Sequence, residues 1–384
     1  MGFRRRFQRS IGLSSGCKSE YGEMMKRFWF LLGVVCAMFL TFVDGDGNDD
    51  VLRDRSLDSR IKAAVERAFA YLAQHQEEDG SFKDVIGRKT SNLYVGHYDK
   101  NIGVTALAAM AFMSWGHLPG RGKYGSQVEK ALNFILDNVD ENGIISYSGS
   151  RMYEHAFATL FLAEIYGMVQ KPELKDKLRA AISAIERAQN KTGGWRYMPT
   201  SKDADISVTV CQVMALRAAR NAGIAVDKNV IANAINYVKR SAAPDGSFCY
   251  QIFDSEGNPI FSRRSFALTA AGVVALQGAG LYDAKEVKKG VKYLYDSFVV
   301  AGDPPAWWMR ETFEYFYAHY YAIQAIYQEG GDMWERWHRK IANELLDGQH
   351  SDGRWEDKVG PNYATAMAVL ILGIPNEYLP IFQR

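Results

Sequence analysis

Cysteine is scarce in this chain. Four occur in 384 residues, and Cys17 and Cys36 lie among the first 45. No Cys-x-x-Cys pair exists, which excludes a zinc ribbon and a dithiol redox motif. Cys211 and Cys249 are expected to be small buried residues, with one disulfide between them left open. Dense basic tracts are missing from the body, and a formal charge of +2 gives nucleic acid no reason to bind. An apolar run long enough to span a membrane, about 20 residues, is missing as well. The run FWFLLGVVCAMFLTFV at 28–43 is shorter. It follows Lys26-Arg27 and precedes the acidic DGDGNDD, which is the order of a secretory signal. A small-x-small cleavage site near Gly45 is poor, so an uncleaved anchor stays open beside a signal peptide. We divide the chain into an N-terminal extension (1–23, with Met24 or Met25 as alternative starts), a signal peptide or anchor (24–45), a polar linker (46–57) and one domain (58–384). The protein is expected to be exported, periplasmic or secreted. It would touch a membrane only through 28–43, if that segment is retained.

Apolar material is ample at 47%, and aromatics reach 13%. One signature recurs: a helix-like run, a glycine, and an aromatic residue two positions later. It reads Asp79-Gly80-Ser81-Phe82, Thr192-Gly193-Gly194-Trp195, Asp245-Gly246-Ser247-Phe248 and Asp352-Gly353-Arg354-Trp355, with a weaker copy at Asn142-Gly143-Ile144-Ile145. The interval from 246 to 353 is about twice the two before it, so a degenerate copy is expected near 300, where Gly302-Asp303-Pro304-Pro305-Ala306-Trp307 stands. That makes six units. Gln76, Gln189 and Gln349 each precede the glycine by four residues. The glycine is expected to be the left-handed cap that ends a helix, and the glutamine amide to clasp a neighbouring loop.

Between signatures the apolar spacing is helical. Segments 60–74, 174–189, 228–240, 284–298 and 333–347 are amphipathic. Segments 102–114, 155–168, 206–219, 266–280, 316–327 and 364–374 are apolar nearly all round, as helices buried on every side are. Outer amphipathic helices alternating with buried inner ones predict an all-α fold, an α6/α6 toroid of six helical hairpins.

The Gln/aromatic signature resembles the QW motif of squalene–hopene and oxidosqualene cyclases. Related toroids form the protein prenyltransferase β subunits, so residues 58–384 resemble the terpene cyclase/protein prenyltransferase superfamily. MYEHAFATLFLAEIYGM (152–168), DISVTVCQVMALRAARNAG (205–223) and NYATAMAVLILGIPNEYLPIFQR (362–384) are similar to short exported planctomycete-type proteins with prenyltransferase/squalene-oxidase repeats, of unassigned activity. The resemblance implies an apolar or isoprenoid ligand and, for an enzyme, isoprenoid cyclase chemistry; a fold alone does not fix a reaction.

Hopene-type cyclases protonate an alkene with the middle residue of Asp-x-Asp-Asp. On that resemblance Asp205 stands for the donor and Asp203 for the first Asp, while Ile206 replaces the third. The local alternative is that Asp205 caps the helix that follows. Carbocation chemistry wants aromatic faces, and Trp307, Trp308, Phe313, Tyr315, Phe316, Tyr317, Tyr320 and Tyr321 supply them; core packing explains such a stripe equally. The prenyltransferase zinc site needs Asp-x-Cys, which is absent, so no metal or cofactor is expected. Asp49-Asp50 is expected to be solvated. Among residues entering inner helices, Glu154 and His155 form a candidate acid/base pair, or Glu154 stabilises the helix start. Arg263, Arg264 and Arg310 suit an anionic group. Two further functions stay open: a non-catalytic exported module binding a protein or the cell envelope, and a polysaccharide lyase-like enzyme. No protein partner can be named.

Overall fold

The computed structural model describes residues 55–90, 93–147, 151–260, 262–301 and 314–383. The chain divides into two compact units, 1–58 and 59–384. The apolar segment 28–43, Cys17, Cys36, Asp49, Asp50, the glycine of the fifth unit, Trp307, Trp308, Arg310 and Phe313 lie outside the described residues. Among those described, no helix is long and apolar enough to cross a membrane.

Twelve α-helices are described, in outer and inner pairs. The outer ones are α1 (Arg55–His75), α3 (Gly125–Asp137), α5 (Leu174–Ala188), α7 (Lys228–Ser241), α9 (Lys285–Tyr295) and α11 (Gly331–Gly348). The inner ones are α2 (Ile102–Met113), α4 (Met152–Ile165), α6 (Ile206–Asn221), α8 (Phe266–Gly278), α10 (Tyr315–Glu329) and α12 (Pro361–Gly373). The outer helices bury one stripe: in α5 it is Leu174, Leu178, Ala181, Ile182, Ala184, Ile185 and Ala188. Every residue of α2 is buried. The inner helices touch in a closed cycle, α2–α4–α6–α8–α10–α12 and back to α2. This is an α-α toroid, as the alternation of amphipathic and apolar segments requires. The end of α9 departs from the expected helix: a π-helical turn, Asp296–Val300, follows Tyr295.

The recurring glycine does not cap the outer helix as expected. In two of the three glutamine-bearing units the glutamine is the C-cap residue (Gln189, Gln349). The glycine closes the turn that follows. In each of five turns its N–H donates to the carbonyl three residues back, as from Gly193 to Asn190 at 3.0 Å. All five glycines have positive φ, between 79° and 97°. They also lie against the next outer helix. A Cβ on Gly80, Gly143, Gly193 or Gly246 would overlap the carbonyl of Lys130, Ala180, Asn233 or Lys289, and one on Gly353 would overlap that of Arg67 in α1. Sixth turn thus meets first helix. The glutamine amides run the same way. Gln76 Nε2 donates to Gly80 O (3.0 Å) and Gln127 O (2.9 Å), and Gln189 to Gly193 O (2.9 Å) and Val230 O (2.8 Å). Gln349 closes the ring, to Gly353 O (2.9 Å) and Ala64 O (2.8 Å).

A hairpin that the helical pattern did not announce, β1 (Lys83–Thr90) and β2 (Leu93–Lys100), separates the first turn from α2. His97, Asp99 and Lys100 are on β2. The hairpin is stitched to the sixth unit. Val85 N–H donates to Val359 O (2.8 Å), Asn362 Nδ2 to Lys83 O (3.0 Å) and Tyr363 N–H to Asp84 Oδ2 (2.7 Å). Asp84 therefore caps α12 from another unit. Gly360 is the N-cap residue of α12, and a Cβ there would strike the Asp84 carboxylate. Burial pushes the Asp84 carboxyl up to about 8, against the hydrogen bonds from the backbone of α12. A short second ladder, β3 (Phe248–Cys249) with β4 (Arg264–Ser265), leads into α8. Cys211 and Cys249 are both buried and unpaired with each other.

The C-terminal residues cross the opposite end of the inner ring. Ile381 N–H donates to Glu164 Oε2 near the end of α4 (3.1 Å), Asn376 Nδ2 to Ser114 O after α2 (3.1 Å), and Tyr327 of α10 to Glu377 (2.6 Å).

Two glycines separate the ring contact from backbone strain. Gly223 has φ 79° with nothing within 4 Å of a Cβ, whereas Gly353 has φ 97° and the Arg67 carbonyl against it. Gly223→Ala should cost about 1–2 kcal/mol, the left-handed strain alone. Gly353→Ala should cost at least twice that in urea unfolding. Equal costs would mean that the close approach of the sixth turn to α1 contributes nothing.

Candidate functional site

All six inner helices begin at the same end of the ring, and there a cavity of about 580 Å³ opens. Val104, Leu107, Phe157, Ala267 and Leu268 give it an apolar interior. Tyr153, Tyr197, Tyr250, Tyr317 and Tyr363 bring phenols to its wall. Ile86, Gly87, Val95, Gly96 and His97 of the hairpin form one side, Arg151, Arg263 and Glu314 supply charge, and the Glu154 carboxyl joins them on the wall. The helix starts are well satisfied internally. Asn101, Asp205 and Ser265 each cap by accepting from a backbone N–H three residues on. Four residues after each cap a threonine (Thr105, Thr209, Thr269) accepts the N–H of the turn's aromatic residue, at 3.0 to 3.2 Å. Thr365 does the same for Trp355 at 3.1 Å.

His155 occupies that position in the second unit. Its Nδ1 accepts from Ile145 N–H (3.0 Å), and its Nε2 lies 3.1 Å from Ala181 O, so Nε2 carries the hydrogen. It is fully buried, and burial lowers its pKa to about 4. Glu154 and His155 are adjacent in sequence but are placed differently: Glu154 lines the cavity while His155 ties a turn to the core. Glu154 accepts from Arg151 N–H (3.2 Å), and burial pushes its carboxyl up to about 8. It therefore holds a proton at neutral pH.

Asp205 is fully buried and is not among the cavity-lining residues. Its Oδ1 accepts from Val208 N–H (2.9 Å) and Ser207 Oγ (2.5 Å), and its Oδ2 from Tyr250 OH (3.4 Å). Arg196 Nε is 3.7 Å from Oδ2. Burial raises the carboxyl above the usual range, against the hydrogen bonds from Ser207 and Val208 and the Arg196 charge. Hydroxyls continue outward. Tyr153 OH donates to Ser207 Oγ (2.6 Å), and Tyr250 and Tyr197 share a hydrogen bond of 2.5 Å. Asp203 sits behind, paired with Arg196 (3.2 Å) and accepting from Gln251 (3.1 Å).

Of the other residues read from sequence, Tyr317 and Arg263 line the cavity. Tyr317 OH donates to Ser207 O (2.8 Å). Arg263 pairs with Glu314 (3.2 Å) and lies 4.8 Å over the Tyr250 ring. Tyr320 is packed in the core against Phe157, Tyr321 and Phe382, off the cavity wall. Arg264 pairs with Asp245 at 2.8 Å. Among the described residues no group of three His, Cys, Asp or Glu side chains is placed to hold a metal ion. Sequence reasoning missed Arg151, Tyr153, Tyr197, Ser207 and Tyr250. A signal existed for two of them. Tyr197 and Tyr250 each stand two residues after the turn aromatic, Trp195 and Phe248, and that shared register brings their hydroxyls together.

The prenyltransferase alpha-alpha toroid domain family matches residues 127–302. A comparison with curated proteins finds no sequence match. Among solved structures, the fold is similar to a type II terpene cyclase, MstE from Scytonema, in complex with its substrate geranylgeranyl dihydroxybenzoate. That similarity has a TM-score of 0.58 at 12% identity, over 85% of this chain and 100% of the other. It is also similar to an α-1,6-mannanase of Salegentibacter in complex with α-1,6-mannotetrose, with a TM-score of 0.60 at 11% identity over 83% and 99%. A protein from Actinoplanes gives 0.54 at 16% identity over 82% and 98%.

A pH-dependent measurement isolates His155. The unfolded imidazole takes up a proton near 6.5, and the folded one only near 4. Its contribution to stability is thus complete above pH 6.5 and is lost as pH falls toward 4, by about 3 kcal/mol in all. His155→Thr restores the hydroxyl used by the other turns and does not titrate. Urea unfolding between pH 4 and 7.5 should show the variant losing less stability on acidification than the parent; parallel curves would refute this assignment.

Proposed function

We propose that this chain, which carries the toroid of the terpene cyclase/prenyltransferase superfamily, binds an apolar chain of isoprenoid class that ends in an oxygen-bearing group. One observation carries the reading: the cavity is apolar at Leu107, Phe157 and Leu268 and polar at Tyr197, Tyr250, Arg151 and Arg263. Its size falls in the roughly 300–1,000 Å³ range of small-molecule sites. The apolar interior would hold a hydrocarbon, since burying it there is favourable at about 25 cal/mol per Å². The phenols and arginines would hold the polar end. The order of residues 26–50, basic then apolar then acidic, supports export, so the ligand would be one met outside the cytoplasm.

Direct alkene protonation by Asp205 is poorly supported. The carboxyl caps α6 and lies behind Ser207 and Tyr250 rather than on the cavity wall. A saccharide is the second reading. The charged and phenolic mouth favours it, and the similar mannanase binds a mannotetraose within the same fold.

Thermal unfolding with added ligand separates the readings. Farnesol or geranylgeraniol should raise the melting temperature; a ligand at 100 times its Kd stabilises by about 2.7 kcal/mol. Leu107→Trp fills the apolar interior and should abolish that rise. Stabilisation by mannotetraose but not by the prenyl alcohols would replace the isoprenoid reading with the saccharide one. No response to either would leave the non-catalytic binding module.

A further inference from the structure

The hydroxyls around Asp205 form a continuous line to the cavity. Two routes leave the carboxyl, and they differ. Oδ1 is held by two donors, Val208 N–H at 2.9 Å and Ser207 Oγ at 2.5 Å, and Ser207 in turn accepts from Tyr153. Every hydrogen on that side points inward, so Oδ1 has no place for a proton of its own. Oδ2 is different. With the carboxyl ionised it accepts from Tyr250 OH at 3.4 Å and faces Arg196 Nε at 3.7 Å; with the carboxyl protonated the Tyr250 contact runs the other way, because Tyr250 meets Tyr197 at 2.5 Å with either oxygen able to donate. Tyr250 and Tyr197 both line the cavity, whereas Asp205 does not. A proton on Asp205 therefore resides on Oδ2, and its way out is Tyr250 and then Tyr197.

We infer that Asp205 supplies protons to the cavity through Tyr250 and Tyr197, so that the donor a ligand meets is a tyrosine hydroxyl serving an oxygen that gains negative charge, not a carbon–carbon double bond. This deepens the proposed function by naming the chemistry of the ligand's polar end, and it rests on that reading. The transfer balances proton for proton. A lone pair of the ligand oxygen forms the new O–H bond as the Tyr197 O–H breaks. Tyr197 takes the hydrogen of Tyr250, and Tyr250 takes that of Asp205. Both phenols end as they began. Asp205 ends as a carboxylate facing Val208 N–H, the Ser207 hydroxyl and the Arg196 guanidinium. A phenol is too weak an acid to protonate an unactivated alkene. It can serve an oxygen, since a positioned tyrosine is among the side chains that act as general acids. Asp205, Tyr250 and Ser207 act through Tyr197 and are positioning residues; Tyr197 is the catalytic one.

Infrared spectroscopy reads the relay in the full chain without a ligand. The protonated Asp205 carboxyl gives a C=O band in the difference between the wild type and Asp205→Asn, and that band shifts when its hydrogen exchanges in D₂O. Exchange should be fast in the wild type and in Tyr153→Phe, and at least tenfold slower in Tyr250→Phe and Tyr197→Phe. Exchange as fast in Tyr250→Phe as in the wild type would overturn the relay. So would the absence of any Asp205 carboxylic band above the ordinary aspartate range, or slowing in Tyr153→Phe alone. Circular dichroism confirms that each variant is folded. The ligand class is read separately. Farnesyl monophosphate, whose dianion takes up a proton near pH 6, should reduce the Asp205 band on binding to the wild type but not to Tyr250→Phe. Binding with no change of the band in the wild type would overturn the oxygen assignment. Failure of both farnesol and farnesyl monophosphate to bind would sink the proposed function while the exchange rates still decide the relay.

Discussion

The toroid depends on the close approach of each of the five described turn glycines to the carbonyl of an adjacent outer helix. No other residue fits there: φ is left-handed, and a Cβ would occupy the place of a backbone atom. The adjacent glutamine spans the same junction with one amide, donating to its own turn and to the neighbouring helix. Repetition of one local contact fixes the angle between successive units. Because Gly353 and Gln349 reach Arg67 and Ala64, the repetition closes on itself. A solenoid made of the same hairpins would leave its last turn facing solvent.

Closure puts six helix starts at one end, and a helix start brings orphan N–H groups with it. The chain meets this demand with a short set of devices. A cap residue accepts one N–H, and a hydroxyl four residues later accepts the N–H of the turn aromatic. Two departures from the rule show its physical content. His155 replaces the threonine and accepts with Nδ1, then uses its other nitrogen to reach Ala181. Asp84 replaces a local cap on α12 and comes from the first unit, so the same carboxyl group satisfies a helix start and fastens the first unit to the sixth.

Much of this architecture was legible in the sequence because its two periods are strong. Apolar residues at every helical position can only belong to inner helices, and the glycine–aromatic spacing gave the count. The role of the glycine was not legible, since a left-handed residue after a helix suggests a helix cap, and only the neighbouring helix reveals why it must lack a side chain. The hairpin at 83–100 escaped for a related reason. Its residues are mixed in polarity, and it is held by pairing within itself and with Val359, far away in sequence. The site was legible in part. Asp205 and Tyr317 stood out by position, and Arg263 by charge. Tyr197 and Tyr250 did not, because a tyrosine in a loop says nothing until two successive units bring their hydroxyls within 2.5 Å.

The treatment of Asp205 sets this toroid apart from what its sequence resemblance implies. Three influences act on the carboxyl. Burial favours its neutral form. The start of α6, where a helix carries about half a positive charge, favours the anion, and so do Arg196 and the two donors on Oδ1. Burial is the largest of the three and lifts the carboxyl above its usual range. Yet everything needed to hold the anion is already in place, so little has to move when the proton leaves. The same helix starts surround the cavity and favour negative charge on a ligand there. The donors on Oδ1, the Arg196 guanidinium and the start of α6 offset part of the cost of burying an Asp205 anion, and a ligand oxygen of the proposed kind would meet the same helix starts. A carbocation would meet six positive helix ends at this mouth, with Asp205 screened behind hydroxyls. The electrostatics of the fold thus agree with the hydrogen-bond geometry in favouring an oxygen-ended ligand over a bare hydrocarbon.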